Sequence, residues 1–245
     1  LEGAWQGVSK RLFRTVTPLV LIPGMMCDAR LFAPQIAAFS GTRPVLHVPI
    51  AARDTVAALA ADVLAIAPPT FALAGLSMGG IVAMEVLRQA PGRVERIALM
   101  DTNPLAETYN VKARRGPQIE AARAGRLGEI MRDEMKPNYL AEGPERGAIL
   151  DLCMAMALDL GPAVFERQSR ALMSRPDQTD TLRAAHLPAL ALCGRHDALC
   201  PLHRHELIAE LIPGATLEVI ENAGHLPTLE QPDATNEALE KWLYQ

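Results

Sequence analysis

Six short apolar runs, "PLVLIPG" (18–24), "PVLHVPI" (44–50), "TFALAGL" (70–76), "VERIALMD" (94–101), "ALALCG" (189–194) and "TLEVI" (216–220), constrain the fold of this 245-residue chain more than any other feature. Most are nearly continuous hydrophobics, the pattern of strands covered on both faces of a parallel sheet. Between them, "RDTVAALAADVLAIAP", "MGGIVAMEVLRQAP", "PLHRHELIAELIPG" and "QPDATNEALEKWLYQ" carry apolar residues at helical spacing and stop at Pro, at Gly or where the sequence ends. Strand and helix in alternation predict an α/β fold with a mostly parallel, doubly wound sheet. In such sheets the working groups gather beyond the carboxyl ends of the strands.

The alternation breaks once. Between Asp101 and Ala189 there is no convincing strand, yet "GPQIEAARAGRLGEIMRDEM" and "GPERGAILDLCMAMALDLGPAVFERQSRALMSR" read as helical. A structureless loop of that length is foreign to a compact domain, so 104–187 is expected to be a helical cap inserted over the strand ends. Residues 1–103 and 188–245 then form one core, and the length suits a single sizeable core without a second independent domain.

Composition narrows the function classes. Hydrophobic residues make up 49% and charged residues 21%, the balance of a globular chain rather than a disordered one. The formal net charge of -4 argues against nucleic-acid binding, which needs a clustered cationic excess. Lys10-Arg11 and Lys112 to Arg115 are short and read as solvated surface. No run approaches the roughly 18 uninterrupted apolar residues of a membrane span, so no membrane partner is expected. The opening Leu1-Glu2-Gly3 lacks an initiator Met and the order of a signal peptide, and reads as trimmed or tag-derived. Cys27, Cys153, Cys193 and Cys200 show no CxxC spacing and are expected to be reduced thiols of a cytoplasmic protein, with a Cys193 to Cys200 bridge the less favoured reading. The oligomeric state, monomer or dimer, is left open.

The chemistry centres on "GLSMGG" (75–80). A G-x-S-x-G turn between a strand and a helix holds its serine strained and clear of the sheet, and Gly75 and Gly79 remove side chains that would collide with the flanking elements. A serine hydroxyl needs a base and an orienting acid. His225, in "ENAGHLPTLEQP", lies between the last strand and the last helix; His47 and His186 read as packing or surface residues. His203 and His205, two apart at the start of a helix, diverge too much to share a metal ion, and no metal is expected. Asp197, in "CGRHDALCP", follows the fifth strand run, so Ser77, Asp197 and His225 occur in the order Ser, acid, His. Asp101, at the end of the fourth run, stays open as the alternative acid. For the oxyanion, the backbone N–H of Met78 is one expected donor and that of Met25, after the turn at Gly24, the other, with Met26 as its rival.

Together "LIPGMMCDARLF", "GLSMGGIVAMEVLRQAPGRVERIALMDT", "LPALALCGRHDALCP" and "IENAGHLPTLEQPDATNEALEKWL" resemble the α/β-hydrolase superfamily, in particular its small capped esterases and enol-lactonase-like members. The chain departs from many relatives at Pro23, where His is common, and at Leu76, where His or Asn is frequent. The region before residue 18 is too short for a full leading hairpin, so the sheet is expected to begin there or one strand earlier.

The resemblance implies hydrolysis of a small-molecule ester or lactone through an acyl-enzyme, with Ser77 as nucleophile, His225 as base, Asp197 orienting it, and no cofactor. Rival readings on the same scaffold are a carbon–carbon bond hydrolase of dienoic ring-cleavage products, a cofactor-free haloperoxidase or perhydrolase, and a catalytically silent ligand receptor. Gly24, Met25, Met26, Met78 and the cap's Met154 are candidates for an adaptable apolar acyl pocket, with ordinary core filling the other reading and the favoured one for the cap methionines. Arg114 and Arg115 suit a carboxylate substrate, although a solvated helix face explains them more simply.

Overall fold

The computed structural model describes residues 16–245. Six strands, β1 (Leu19–Ile22), β2 (Val45–His47), β3 (Phe71–Leu76), β4 (Val94–Met100), β5 (Ala189–Gly194) and β6 (Thr216–Ile220), form one sheet in the order β2-β1-β3-β4-β5-β6. Every pairing is parallel, so the expected mostly parallel sheet is wholly parallel among the described residues. Each apolar run of the sequence holds one of these strands. A strand ahead of residue 18 falls largely outside the described residues, as does Lys10-Arg11.

Alternate residues of each strand feed opposite faces. Leu19, Leu21, Ala72, Ala74, Leu190 and Leu192 lie on one side, with helices α1 (Ala33–Phe39) and α10 (Pro232–Tyr244). Val20, Ile22, Phe71, Leu73, Ile97 and Leu99 lie on the other, with α2 (Val56–Ile66), α3 (Met78–Gln89) and α8 (Leu202–Leu211). Both faces are therefore covered, which is why the central strands β1 and β3 tolerate no polar side chain.

Between β4 and β5 the described elements are helical: α4 (Tyr109–Ala121), α5 (Leu127–Glu129), α6 (Arg146–Met173) and α7 (Thr179–Arg183). Wide π turns at 122–126 and 130–135 flank α5, where Gly125 takes φ 83°. The long α6 is interrupted at Gly161 (φ 78°), just before Pro162, whose ring nitrogen cannot donate to the helix ladder. By length and composition α6 reaches what a membrane span requires. Its Met156 and Phe165, however, are buried in the same apolar cluster as Leu21 and Met100 of the sheet, and its exposed Asp159 pairs with Arg30 at 2.7 Å, so one face of it packs into the core of the protein.

The segment is tied to the loops at the strand ends by polar contacts. Gln168 of α6 donates to the Ile50 carbonyl at 3.0 Å and accepts the Met26 N–H at 2.8 Å. Tyr139 offers its carbonyl to the His225 N–H at 2.6 Å. A last short helix, α9 (Pro227–Glu230), precedes α10.

Trp242 anchors α10 against the sheet with 1% of its surface exposed. Its truncation in Trp242→Ala leaves a large void beneath β4 to β6. We expect a loss of about 3–5 kcal/mol, read as a lower midpoint in urea unfolding with an unchanged slope; an effect below about 1 kcal/mol would contradict this packing.

Candidate active site

Because the sheet is parallel, the carboxyl ends of β3, β4, β5 and β6 open on one edge, and the loops that follow them carry Ser77, Asp101, Asp197 and His225 in that order. Ser77 sits in the one-residue turn from β3 to α3 with φ 55° and ψ -115°, a conformation costly for a residue with a Cβ. Its surroundings hold it there. The Ser77 N–H donates to the Met100 carbonyl at 2.8 Å, and its own carbonyl accepts from Thr102 Oγ1 at 2.7 Å. A Cβ on Gly79 would run into the Ile22 carbonyl, and one on Gly75 into the Gly79 carbonyl. Only hydrogen fits at either position.

Ser77 Oγ lies 2.9 Å from His225 Nε2, and His225 Nδ1 lies 2.9 Å from Asp197 Oδ2. The structure thus brings the three sequence-predicted side chains into one hydrogen-bonded line. Asp197 is a turn aspartate as well, because its Oδ1 accepts the N–H groups of Leu199 and Cys200 at 2.8 and 2.9 Å. Burial pushes the other way, yet the His225 ring and these two N–H donors hold the Asp197 carboxyl below its ordinary range.

Asp101 is placed differently. It is fully buried, its Oδ1 accepts the Gly194 N–H at 2.9 Å, and its Oδ2 has no donor. Burial first, and the neighbouring Asp197 charge second, push this carboxyl well above its usual range. Of the two neighbouring carboxyls, Asp101 is thus the one that resists ionisation, and Asp197, held low, is the one that faces His225.

Two residues that the sequence reading missed hold the site in shape. Glu230 accepts from the backbone N–H groups on both sides of His225, Gly224 at 2.9 Å and Leu226 at 3.0 Å, and from Ala141 at 2.8 Å. The only signal for it was a carboxylate five residues beyond the histidine. Gln168 occupies the Met26 N–H, and nothing in its helical surroundings marks it in the sequence.

The cavity over Ser77 and His225 has a volume of about 610 Å³ and includes Gly24, Met25 and Met78 in its wall. Two expected pocket residues are corrected. Met26 is buried at 1% exposure, its N–H taken by Gln168, and Met154 packs against the apolar cluster away from the cavity wall. Met26 is core filling with no N–H left for an oxyanion, and Met154 is half-buried against that core.

Asp197, Cys200 and His225 bring one donor atom each within 4.8 Å of one another. The Asp197 and His225 atoms are spent on each other, and burial together with the nearby Asp197 charge pushes the Cys200 thiol well up, so the trio suits a metal poorly. His203 lines the cavity, whereas His205 is buried, accepts the Thr102 N–H at 3.0 Å and is pushed down to about 4 by burial. All four cysteines are free.

The raised carboxyl of Asp101 makes a pH-dependent expectation. A group whose folded value lies above its unfolded one stabilises the fold fully below the unfolded value, 3.8 here, and loses that contribution as pH rises. Asp101→Asn keeps an acceptor for Gly194 and cannot ionise. Its melting temperature should exceed that of the parent at pH 7 to 8, with the gap closing below about pH 4; an equal deficit at every pH would contradict the upward shift of this carboxyl.

Comparison with known proteins agrees with this architecture. A family model described as "Alpha/beta hydrolase family" matches residues 3–238. The chain is 27% identical over 257 residues to the carboxylesterase YbfK of Bacillus subtilis, covering 92% of this chain and 79% of that protein. A malate-bound thermophilic esterase of Thermogutta terrifontis superposes with a TM-score of 0.86 at 29% identity, over 94% of this chain and 90% of that one. The enol-lactonase of Burkholderia xenovorans LB400 shares the fold with a TM-score of 0.85 at 22% identity, over 94% and 92%. With six parallel strands, a serine at the sharp turn after β3 and a family match over nearly its whole length, this chain belongs to the α/β-hydrolase family.

Proposed function

We propose that this protein is a serine hydrolase that cleaves a carboxylic ester or lactone through an acyl-enzyme. The observation that carries the reading is the line from Ser77 Oγ through His225 to Asp197, with both links at 2.9 Å, in the wall of a cavity large enough for a small ester. Relatives described as esterases support it.

In this reading the Ser77 oxygen attacks the ester carbonyl while His225 Nε2 takes its proton. His225 then gives that proton to the departing alcohol, leaving an acyl group on Ser77. Water, deprotonated by the same nitrogen, attacks the acyl carbon, and the proton returns to Ser77 as the acid leaves. Asp197 keeps Nδ1 protonated and steadies the imidazolium. The N–H groups of Met25 and Met78 receive the oxyanion. Met78 opens α3, where first-turn N–H groups lack helical acceptors, and Met25 faces the cavity while its neighbour Met26 is committed to Gln168. These steps call for no metal or organic cofactor. Residues 104–187 act as the cap that shapes the acyl site, and the four free thiols suit a reducing, cytoplasmic setting.

A short-chain 4-nitrophenyl ester should be hydrolysed. Ser77→Ala should lose kcat on the order of a millionfold with an unchanged melting temperature, and full activity in that variant would end the proposal. Asp197→Asn should cost about ten-thousandfold and Asp101→Asn far less; the reverse ranking would move the acid to β4. A serine-directed phosphonate should add its mass to the Ser77 peptide, whereas no adduct would favour a silent receptor.

A further inference from the structure

Four arginines, Arg114, Arg115, Arg175 and Arg204, line the cavity that contains Ser77 and His225, against one carboxylate, Glu107. They converge from three places in the chain: α4, the residues just past α6, and α8. Arg114 is exposed, as a solvated helix face requires. Its neighbour is not, since the Arg115 side chain is only 13% exposed and that of Arg175 only 11%.

Glu107, 2% exposed, is shared by both buried guanidiniums. Its oxygens take Nε and Nη2 of Arg115 at 2.7 and 2.6 Å, and Arg175 Nη1 lies 3.5 Å away. Arg175 Nε donates to the Leu105 carbonyl at 3.0 Å. What remains of the Arg115 fork, Nη1, has only the Met25 sulfur at 3.9 Å, a weak acceptor. Arg114 and Arg204 make no ion pair among the described residues. Burial, and repulsion from Arg115 and Arg204, draw the Arg175 guanidinium down from its usual range. A half-buried cluster with two cations on one anion is costly to maintain, and a ligand with one negative charge balances it. A planar carboxylate meets the guanidinium fork in two parallel hydrogen bonds.

We propose that the cavity selects a monoester of a short dicarboxylic acid, its free carboxylate seated against Arg115 and Arg175 beside Met25, with Arg114 and Arg204 drawing the anion in. The proposal rests on the hydrolase reading for the ester and on the arginines alone for the carboxylate. Because Arg115 Nη1 abuts Met25, the carboxylate and the scissile carbonyl lie on the same side of the cavity, within the reach of a few methylenes.

The test compares mono-4-nitrophenyl glutarate with 4-nitrophenyl valerate, which differ at the distal end by carboxylate against methyl. The ratio of kcat/KM should favour the glutarate ester by about tenfold or more at low salt and shrink as salt is raised. Arg115→Gln should bring the two esters to parity. The double variant Arg114→Gln with Arg204→Gln, which leaves the Glu107 pairs intact, should lower the ratio a few-fold, and it serves if Arg115→Gln fails to fold. Parity of the two esters in the parent protein, or a preference untouched by either variant, would overturn the proposal. If neither ester is cleaved, the hydrolase reading fails, and calorimetric binding of glutarate itself decides the anion site. Binding weakened by the double variant supports it, and no binding overturns it.

Discussion

Much of this molecule hangs on a contact in which no side chain takes part. The start of α3 lies so close to the end of β1 that Gly79 meets the Ile22 carbonyl with no room for a Cβ. That closeness forces the chain to reverse in one residue, which puts Ser77 at φ 55° with its oxygen off the edge of the sheet. It also brings the β1 loop, with Gly24 and Met25, against the serine. Strain at Ser77 persists because strands on either side over-determine it: β1 through Gly79, β4 through the Met100 carbonyl and Thr102.

Around that turn, charge is arranged by burial as much as by contact. Two carboxyls lie close together after β4 and β5, and their environments pull them apart: Asp197 has two backbone donors and a histidine, Asp101 one donor and an orphaned oxygen. The first is held below the ordinary carboxyl range and the second above it, so the readily ionised one is the one that faces His225. The His225 loop is itself held by a third carboxylate, Glu230, whose partners are backbone N–H groups on both sides of the histidine and on the helical segment at Ala141. Through Gln168, Tyr139 and Ala141 the helical segment between β4 and β5 fixes the backbone of the loops that follow β1 and β6.

The strands and the Ser, acid, His order were legible because each depends on local pattern. A strand buried on both faces must be apolar throughout, and a sharp turn beside a neighbouring backbone must be glycine. Contacts between distant segments leave no such trace. Met154 and Met156 sit two apart on α6, and core filling, the favoured reading for both, holds fully for the buried Met156 and partly for Met154, which packs on the edge of the same cluster. Arg114 and Arg115 are adjacent and chemically identical, and only the packing of α4 sends one to solvent and the other to Glu107. Asp101 and Asp197 both follow strands; which one meets His225 is decided by where the loops after β5 and β6 converge.

The sequence by itself determined that this chain would form a doubly wound α/β sheet and that a glycine-flanked serine would stand at its carboxyl edge, since apolar periodicity and steric exclusion act within a few residues. Only the tertiary structure decided which acid meets His225, which of Met25 and Met26 lines the cavity and which arginines turn inward. Those properties arise from burial and from hydrogen bonds between residues as far apart as Met26 and Gln168, and desolvation is a property of the packed molecule rather than of any stretch of chain.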